Sequence, residues 1–136
     1  MALITWNETL NVGVASMDRQ HREMADLVNL IHDNLLQGVP DAELRQNFDL
    51  LAAATVAHFR HEQDLWTRTD YPAAAGHKHK HDLLMVVLDR FRETLDRDTS
   101  QSRLEQQLDY LREWLLDHID DEDKPLAAHL NAAGIS

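Results

Sequence analysis

Apolar residues recur at steps of three and four along most of the chain, which is the spacing that keeps side chains on one face of an α-helix. Four such stripes can be traced, each longer than four turns. We therefore predict four helices, at about residues 17–37, 42–68, 74–97 and 101–118, with a further short helix after Pro125.

The stripes are separated by short runs of helix-breaking or turn-forming residues. These runs are Gly38-Val39-Pro40, Asp70-Tyr71-Pro72 and Asp98-Thr99-Ser100. Short connections between long helices favour antiparallel neighbours, so the predicted fold is all-α, an antiparallel up-down four-helix bundle. Residues 1–16 carry no stripe and are predicted to form an extended arm anchored by Trp6. We expect the whole chain, 1–136, to form one domain.

Composition and charge narrow the classes of function. The net charge is −11 and no Lys/Arg cluster is present, which argues against a nucleic-acid or membrane-surface binder. No apolar run reaches the roughly 20 residues of a membrane span, and there is no cysteine for a disulfide or a thiolate metal site. We expect a cytoplasmic protein. The unusual count is nine histidines in 136 residues.

Each of the four stripes contains at least one histidine. A polar group buried without a partner costs roughly 1–3 kcal/mol by mutational estimates, so inward-pointing imidazoles need something that satisfies them. A metal ion does this well, since neutral imidazole and carboxylate are both good ligands for iron. The candidate ligands are His21, His58, Glu62, His77, His81, His118 and Asp123.

The spacing of these residues supports a shared site. His58 and Glu62 are four apart, as are His77 and His81, so each pair projects from adjacent turns of one helix face. Asp123 follows His118 by five residues, where we expect the fourth helix to end and the chain to bend the carboxylate back. In an alternating bundle, these donors converge at one end.

Each piece also has an ordinary explanation. A single histidine on an apolar face is more often a hydrogen-bonded core residue, and a His-x-x-x-Glu pair is often just an intrahelical contact. Only the joint occurrence on four stripes favours a metal. The other four histidines are predicted to lie outside the site, on solvated faces, too far along the bundle or in the tail: His32, His61, His79 and His129.

The chain resembles the hemerythrin family in its bacterial single-domain form. The resemblance extends from the arm to the last helix and rests on local motifs in matching order. These are Asp18-Arg19-Gln20-His21, His58-Phe59-x-x-Glu62, Tyr71-Pro72 before His77-x-x-x-His81, and Trp114-x-x-x-His118-Ile119-x-x-x-Asp123.

The resemblance implies a non-haem pair of iron ions joined by an oxo or hydroxo bridge. It assigns His77, His81 and His118 to one iron, His21 and His58 to the other, and Glu62 and Asp123 to both. One coordination position would then stay open, on the iron with two histidines, for dioxygen. The implied function is reversible dioxygen binding, as an oxygen carrier, store or supplier.

The residues expected around the dioxygen are Phe59, Trp114, Ile119 and Ala25. The first three supply no acid or base, which favours binding over catalysis. Ala25 stands where the family often has a large aromatic residue, and we expect the gap to admit water and speed the loss of the oxygenated form. Trp66 replaces a frequent methionine, with consequences expected for packing alone.

Other functions fit parts of the pattern. A sensor of oxygen or redox state would need a separate protein partner, of which the sequence says nothing. A di-iron peroxidase or a nitric-oxide-handling enzyme would turn over its substrate, and a structural zinc site would be colourless. A monomer is expected, although the acidic composition is also compatible with a dimer.

Overall fold

The computed structural model describes residues 2–97 and 100–136, and it confirms the all-α bundle. The helices are α1 (Ala15–Gln37), α2 (Asp41–Arg68), α3 (Ala74–Arg97), α4 (Gln101–His118) and α5 (Lys124–Ala132). The predicted bounds were correct to within two residues for the four long helices. Of the predicted third break, residues 98–99 lie outside the described residues. No helix in the described ranges is long and apolar enough to cross a membrane.

The four predicted stripes form the core of the bundle. Every residue on them is buried, including the polar members His21, Thr55, His58 and Glu62. Towards the end remote from the histidines, the core is filled by leucines and by Phe48 stacked on Phe91, with ring centroids 4.8 Å apart. One end of the bundle interior is thus apolar and the other is polar.

Local chain chemistry explains where α1 ends. Gly38 adopts a left-handed conformation with φ of 67°, and its N–H bonds to the carbonyls of Asn34 and Leu35. Glycine enters this region without strain and commonly terminates helices in this way. Pro40 then precedes the first residue of α2.

The N-terminal arm lies along the bundle as predicted, with one 3-10 turn at Glu8–Leu10. Its main attachment is Asn29 on α1, whose side chain accepts a hydrogen bond from the Ile4 N–H at 2.7 Å and donates one to the Ile4 carbonyl at 2.8 Å. Arg112 on α4 donates to the Leu3 carbonyl at 2.9 Å. Ile4 is 4% exposed within the main core, and the half-buried Trp6 packs against that core, so apolar contacts hold the arm together with these hydrogen bonds.

The expected bend after the fourth helix is wrong. The chain continues from α4 through a π-helical turn, Ile119–Asp123, directly into α5. Pro125 does not break this run, because it lies in the first turn of α5, directly after the wide π-helical turn. Leu126 and Leu130 of α5 are fully buried in a second apolar cluster with Met17, Leu65 and Trp66.

Candidate metal centre

The polar end of the bundle brings together all seven predicted donors. They come from α1, α2, α3, α4 and the π-helical turn, and none is more than 5% exposed. Their ligand atoms form two groups, within each of which the atoms lie no more than 4.8 Å apart.

The first group combines three histidines with two carboxylates. Its members are Glu62, His77, His81, His118 and Asp123. The Nε2 atom of His81 lies 3.0 Å from Oε1 of Glu62, and the Nε2 atom of His118 lies 3.1 Å from Oδ1 of Asp123. Nε2 of His77 lies 3.0 Å from the same Asp123 oxygen. Three imidazoles therefore face one space between two carboxylates.

The second group combines two histidines with the same two carboxylates, Glu62 and Asp123. Nε2 of His21 lies 2.8 Å from Oδ2 of Asp123, and Nε2 of His58 lies 3.1 Å from Oε1 of Glu62. Because both carboxylates belong to both groups, the arrangement is that of two adjacent cation sites with shared bridging ligands.

Most of these ligand atoms have no hydrogen-bond partner among the described residues. The orphaned atoms are Nε2 of His21, His58 and His81 and all four carboxylate oxygens. Their close approaches lack the orientation of hydrogen bonds, and each unsatisfied group would cost roughly 1–3 kcal/mol. Bound cations would satisfy all of them at once, so the residues present fit a metal pair.

The electrostatics favour the neutral forms of His81 and His58. Burial, followed by the neighbouring His118 and His77, lowers the pKa of His81 to about 2. Burial and the adjacent His21 likewise hold the pKa of His58 well below 6.5. Metals bind neutral imidazole, so these two side chains would not need to lose a proton to coordinate one.

The two carboxylates shift in opposite directions. Burial and the nearby Asp123 charge raise the pKa of Glu62 well above its usual value. Burial would also raise the pKa of Asp123, but the imidazoles of His118, His21 and His77 outweigh it and hold that pKa well below its usual value. Two buried carboxylates this close repel when both are ionised, and a cation between them removes the conflict.

The π-helical turn explains the five-residue spacing of His118 and Asp123. In an α-helix, residues five apart point about 140° away from each other. In the π turn the hydrogen bonds run from residue i+5 to residue i, as from the Lys124 N–H to the Ile119 carbonyl. The wider turn returns Asp123 to the same side as His118, so both side chains reach the centre without a bend.

Gln20 contacts a donor of the centre in a role that the sequence pattern did not predict. Its Oε1 atom accepts a hydrogen bond from Nδ1 of His58 at 2.6 Å. This bond fixes the tautomer of His58 and leaves Nε2 free to coordinate, which is the usual arrangement around metal-bound histidines. The only signal in the sequence was its position directly before His21.

Three aromatic rings lie against the three-histidine group. Phe59 stacks on His81 with centroids 3.6 Å apart, and Trp114 stacks on His118 at 4.4 Å. Trp66 lies 4.9 Å from the ring of His77. Phe59 also lies 6.1 Å from the ring of His58 in the other group, whereas Ile119 and Ala25 are buried in the main core.

The remaining four histidines lie outside both donor groups. His79 is exposed and His32 half-buried. The Nε2 atom of His61 is 2.8 Å from the Ser16 hydroxyl, and that of His129 donates to the Thr69 carbonyl at 2.9 Å. His61 therefore connects α2 to α1, and His129 connects α5 to the end of α2.

Comparison with known proteins agrees with this geometry. Residues 12–130 match the family model described as the hemerythrin HHE cation binding domain. The chain belongs to the hemerythrin family. The matched range contains all seven donors.

Among hemerythrin relatives, the bacteriohemerythrin of Methylococcus capsulatus is 31% identical, over 97% of this chain and 100% of that protein. The bacteriohemerythrin of Stenotrophomonas maltophilia is 29% identical, over 96% and 86%. A crystal structure of wild-type hemerythrin superposes with a TM-score of 0.85 at 28% identity, covering 95% of this chain and 98% of the other.

Proposed function

We propose that this hemerythrin-family chain binds dioxygen reversibly at a pair of non-haem iron ions and serves as an oxygen carrier, store or supplier. The observation that carries the proposal is the pair of orphaned donor groups sharing Glu62 and Asp123. His77, His81 and His118 would hold one ion and His21 and His58 the other. When bound, the iron pair supplies the electrons and the open coordination position that dioxygen binding requires.

An apolar cavity next to the centre supports this function. Its volume is about 20 Å³, enough for one small molecule. Four of its lining residues lie three positions from a donor on the same helix, one turn towards the apolar end of the bundle: Met24, Thr55, Leu84 and Leu115. A small apolar ligand would have a dry space beside the metals.

The chemistry of this cavity favours binding over turnover. Its described walls are apolar except for Thr55, whose hydroxyl donates to the Leu51 carbonyl at 2.8 Å. That hydroxyl proton is engaged by the backbone and is not directed at the cavity. Without an acid or base in the cavity, a reduced oxygen species is not readily protonated and released.

An oxygenation cycle tests the proposal. The iron-loaded protein is reduced under argon, exposed to air and returned to argon while its visible spectrum is recorded. We expect about two irons per chain by the donor count, and a visible band that forms in air and disappears under argon. Irreversible loss of the band would contradict reversible binding, and steady consumption of peroxide or nitric oxide would identify an enzyme. A protein that takes up zinc but no iron would refute the iron centre.

A further inference from the structure

A surface groove lies between α3 and α4, towards the end of the bundle remote from the metal centre. Its volume is about 350 Å³, and it is lined by Val87, Arg90, Phe91, Gln107 and Tyr110. Phe91 is 1% exposed and belongs to the main core, against which the half-buried Val87 packs. The groove therefore has an apolar base, with polar side chains along it.

Two polar groups in this groove have no partner among the described residues. Gln107 donates from Nε2 to the Thr94 hydroxyl at 3.0 Å, but its Oε1 atom is buried and accepts no hydrogen bond. The exposed guanidinium of Arg90 forms no ion pair, although the chain carries 24 acidic residues against 13 basic ones. Because an unsatisfied buried acceptor costs free energy, the groove suits a side chain that combines an apolar ring with a hydrogen-bond donor.

Tyr110 is a side chain of this kind, and it stands at the edge of the groove. It is 55% exposed, the highest fraction among the exposed large hydrophobic side chains of the described residues. A tyrosine buries a large apolar ring while its hydroxyl finds a hydrogen-bond partner, which is why tyrosines often anchor interfaces. The ring of Tyr110 lines the groove of its own chain without filling it. A second copy of the chain would present the same ring to the same groove.

The charges along α4 favour an antiparallel contact with a second copy. Arg103 precedes Tyr110 by seven positions and Asp117 follows it by seven, and all three side chains are exposed. They therefore share one face of the helix, with each charge about 10 Å from the tyrosine. A two-fold axis that crosses α4 at Tyr110 makes the two α4 helices antiparallel and places Arg103 of each copy opposite Asp117 of the other. A parallel contact would place each charge opposite its own equivalent.

We propose that the chain forms a homodimer through this groove, with Tyr110 of each copy inserted into the groove of the other. The ring packs on Val87 and Phe91, and its hydroxyl donates to the unpartnered oxygen of Gln107. Arg90 lies against the ring, because a guanidinium is attracted to an aromatic face. A dimer replaces the monomer expected from the sequence, and its formation does not depend on what the metal centre binds.

Neighbouring apolar side chains on α3 enlarge the surface that a dimer would bury. Leu83 and Val86 are 46% and 48% exposed, and they lie one turn before Val87 and directly beside it. A standard interface covers about 800 Å² of each partner, which is about a tenth of the 7430 Å² surface of this chain. Helices of 24 and 18 residues are about 36 and 27 Å long, so the outward faces of α3 and α4 together are large enough.

Sedimentation velocity of the full chain, from about 1 μM to about 1 mM, tests the dimer. We expect a species of twice the 15.7 kDa of one chain. Tyr110→Ala should raise the dissociation constant by roughly tenfold or more, because it removes the side chain that fills the groove. Leu36→Ala is the matched control, since Leu36 is 54% exposed on α1, and it should leave the dissociation constant unchanged. A monomer at all concentrations, or equal effects of the two substitutions, would overturn the homodimer.

Exchanging the charges on α4 tests the orientation and identifies the occupant of the groove as a second copy. Arg103→Glu or Asp117→Lys alone places like charges opposite each other, so each variant should associate roughly tenfold more weakly than the unaltered protein. An equal mixture of the two variants should regain the original affinity, because both contacts of the mixed dimer are then attractive. The mixture also decides the matter if Tyr110→Ala does not fold, with circular dichroism verifying the helicity of each variant. A mixture that stays as weakly associated as its components would overturn the antiparallel interface.

Discussion

At the scale of single residues, Glu62 is one of the two donors whose loss should damage both sites. It belongs to both groups, and its Oε1 atom lies within 3.1 Å of Nε2 of His58 and of His81. We predict that Glu62→Ala reduces bound iron from about two per chain to below one, measured by elemental analysis. His79→Ala, at an exposed position, should keep the full complement. Retention of both irons by Glu62→Ala would contradict the shared assignment.

Gln20 should influence metal affinity without binding metal. Gln20→Leu removes the acceptor for Nδ1 of His58, so the imidazole is no longer fixed in orientation. We expect metal affinity to fall by roughly 10–100-fold, measured by competition with a coloured chelator. The neighbouring exposed substitution Arg19→Ala should have little effect. Unchanged affinity in Gln20→Leu would show that the packing of α1 alone orients His58.

Ala25 is buried in the main core at 1% exposure, so a larger residue must displace its neighbours. We predict that Ala25→Phe lowers the free energy of unfolding by about 1–3 kcal/mol, and that its oxygenated band decays more slowly if its iron content is intact. Urea unfolding and the decay of the band measure the two effects. Ala53→Phe, on an exposed face of α2, is the matched control. Equal decay rates in Ala25→Phe and the unaltered protein would show that residue 25 does not influence the oxygenated form.

Residues differ in how far sequence predicts their role. Six of the seven donors could be placed together because each lies on an apolar stripe, where a polar side chain needs an explanation. Asp123 was placed by its spacing of five residues from His118. Gln20 and Asn29 could not, because their partners belong to another helix or to the arm and depend on how the elements pack. The stacking of Phe59 on His81 and of Trp114 on His118 likewise depends on the packing of separate helices, and a role for these two residues around dioxygen stays a prediction.

At the scale of elements, helix periodicity predicted the four long helices but not the π-helical turn. Ordinary α-helical geometry turns His118 and Asp123 away from each other, and the sequence interpretation therefore ended the helix between them. The turn at Ile119–Asp123 achieves the same convergence by widening one turn. A spacing of five positions between two buried donors could have suggested it, since π-turns are frequent at functional sites.

The short helix α5 is expected to stabilise the end of the bundle that holds the centre. Leu126 of α5 is fully buried in the second apolar cluster, with Met17, Leu65 and Trp66. It follows the π-helical turn that carries Asp123. Leu126→Ala should lower the free energy of unfolding by about 2–5 kcal/mol and weaken metal retention. Leu36→Ala, at a side chain 54% exposed, should change stability by less than about 0.5 kcal/mol. Chelator resistance and urea unfolding provide the measurements.

At the scale of the whole molecule, folding concentrates five imidazoles and two carboxylates at one end of an apolar core. Hydrophobic patterning predicted which residues gather there, but not the direction in which each titrates. Glu62 and Asp123 are both buried carboxylates, yet their pKa values move in opposite directions because the imidazoles crowd around Asp123. Such differences depend on the packed geometry, and they determine how the metal-free protein responds to acid.

Removing the metals is expected to lower the free energy of unfolding, because bound ions stabilise only the folded state. Acid should lower the free energy of unfolding of the metal-free protein further. Folded His58 and His81 stay neutral, since burial depresses their pKa values, whereas the unfolded chain protonates them below about pH 6.5. As the pH decreases below this value, the free energy of unfolding therefore falls by up to about 1.4 kcal/mol per pH unit for each histidine. The raised pKa of Glu62 opposes this, because the folded state keeps a proton that the unfolded state has lost. Urea unfolding of chelator-treated protein at about pH 7 and pH 5 measures the slope. His81→Phe should reduce that slope, and an unchanged slope would show that His81 is already charged in the folded protein.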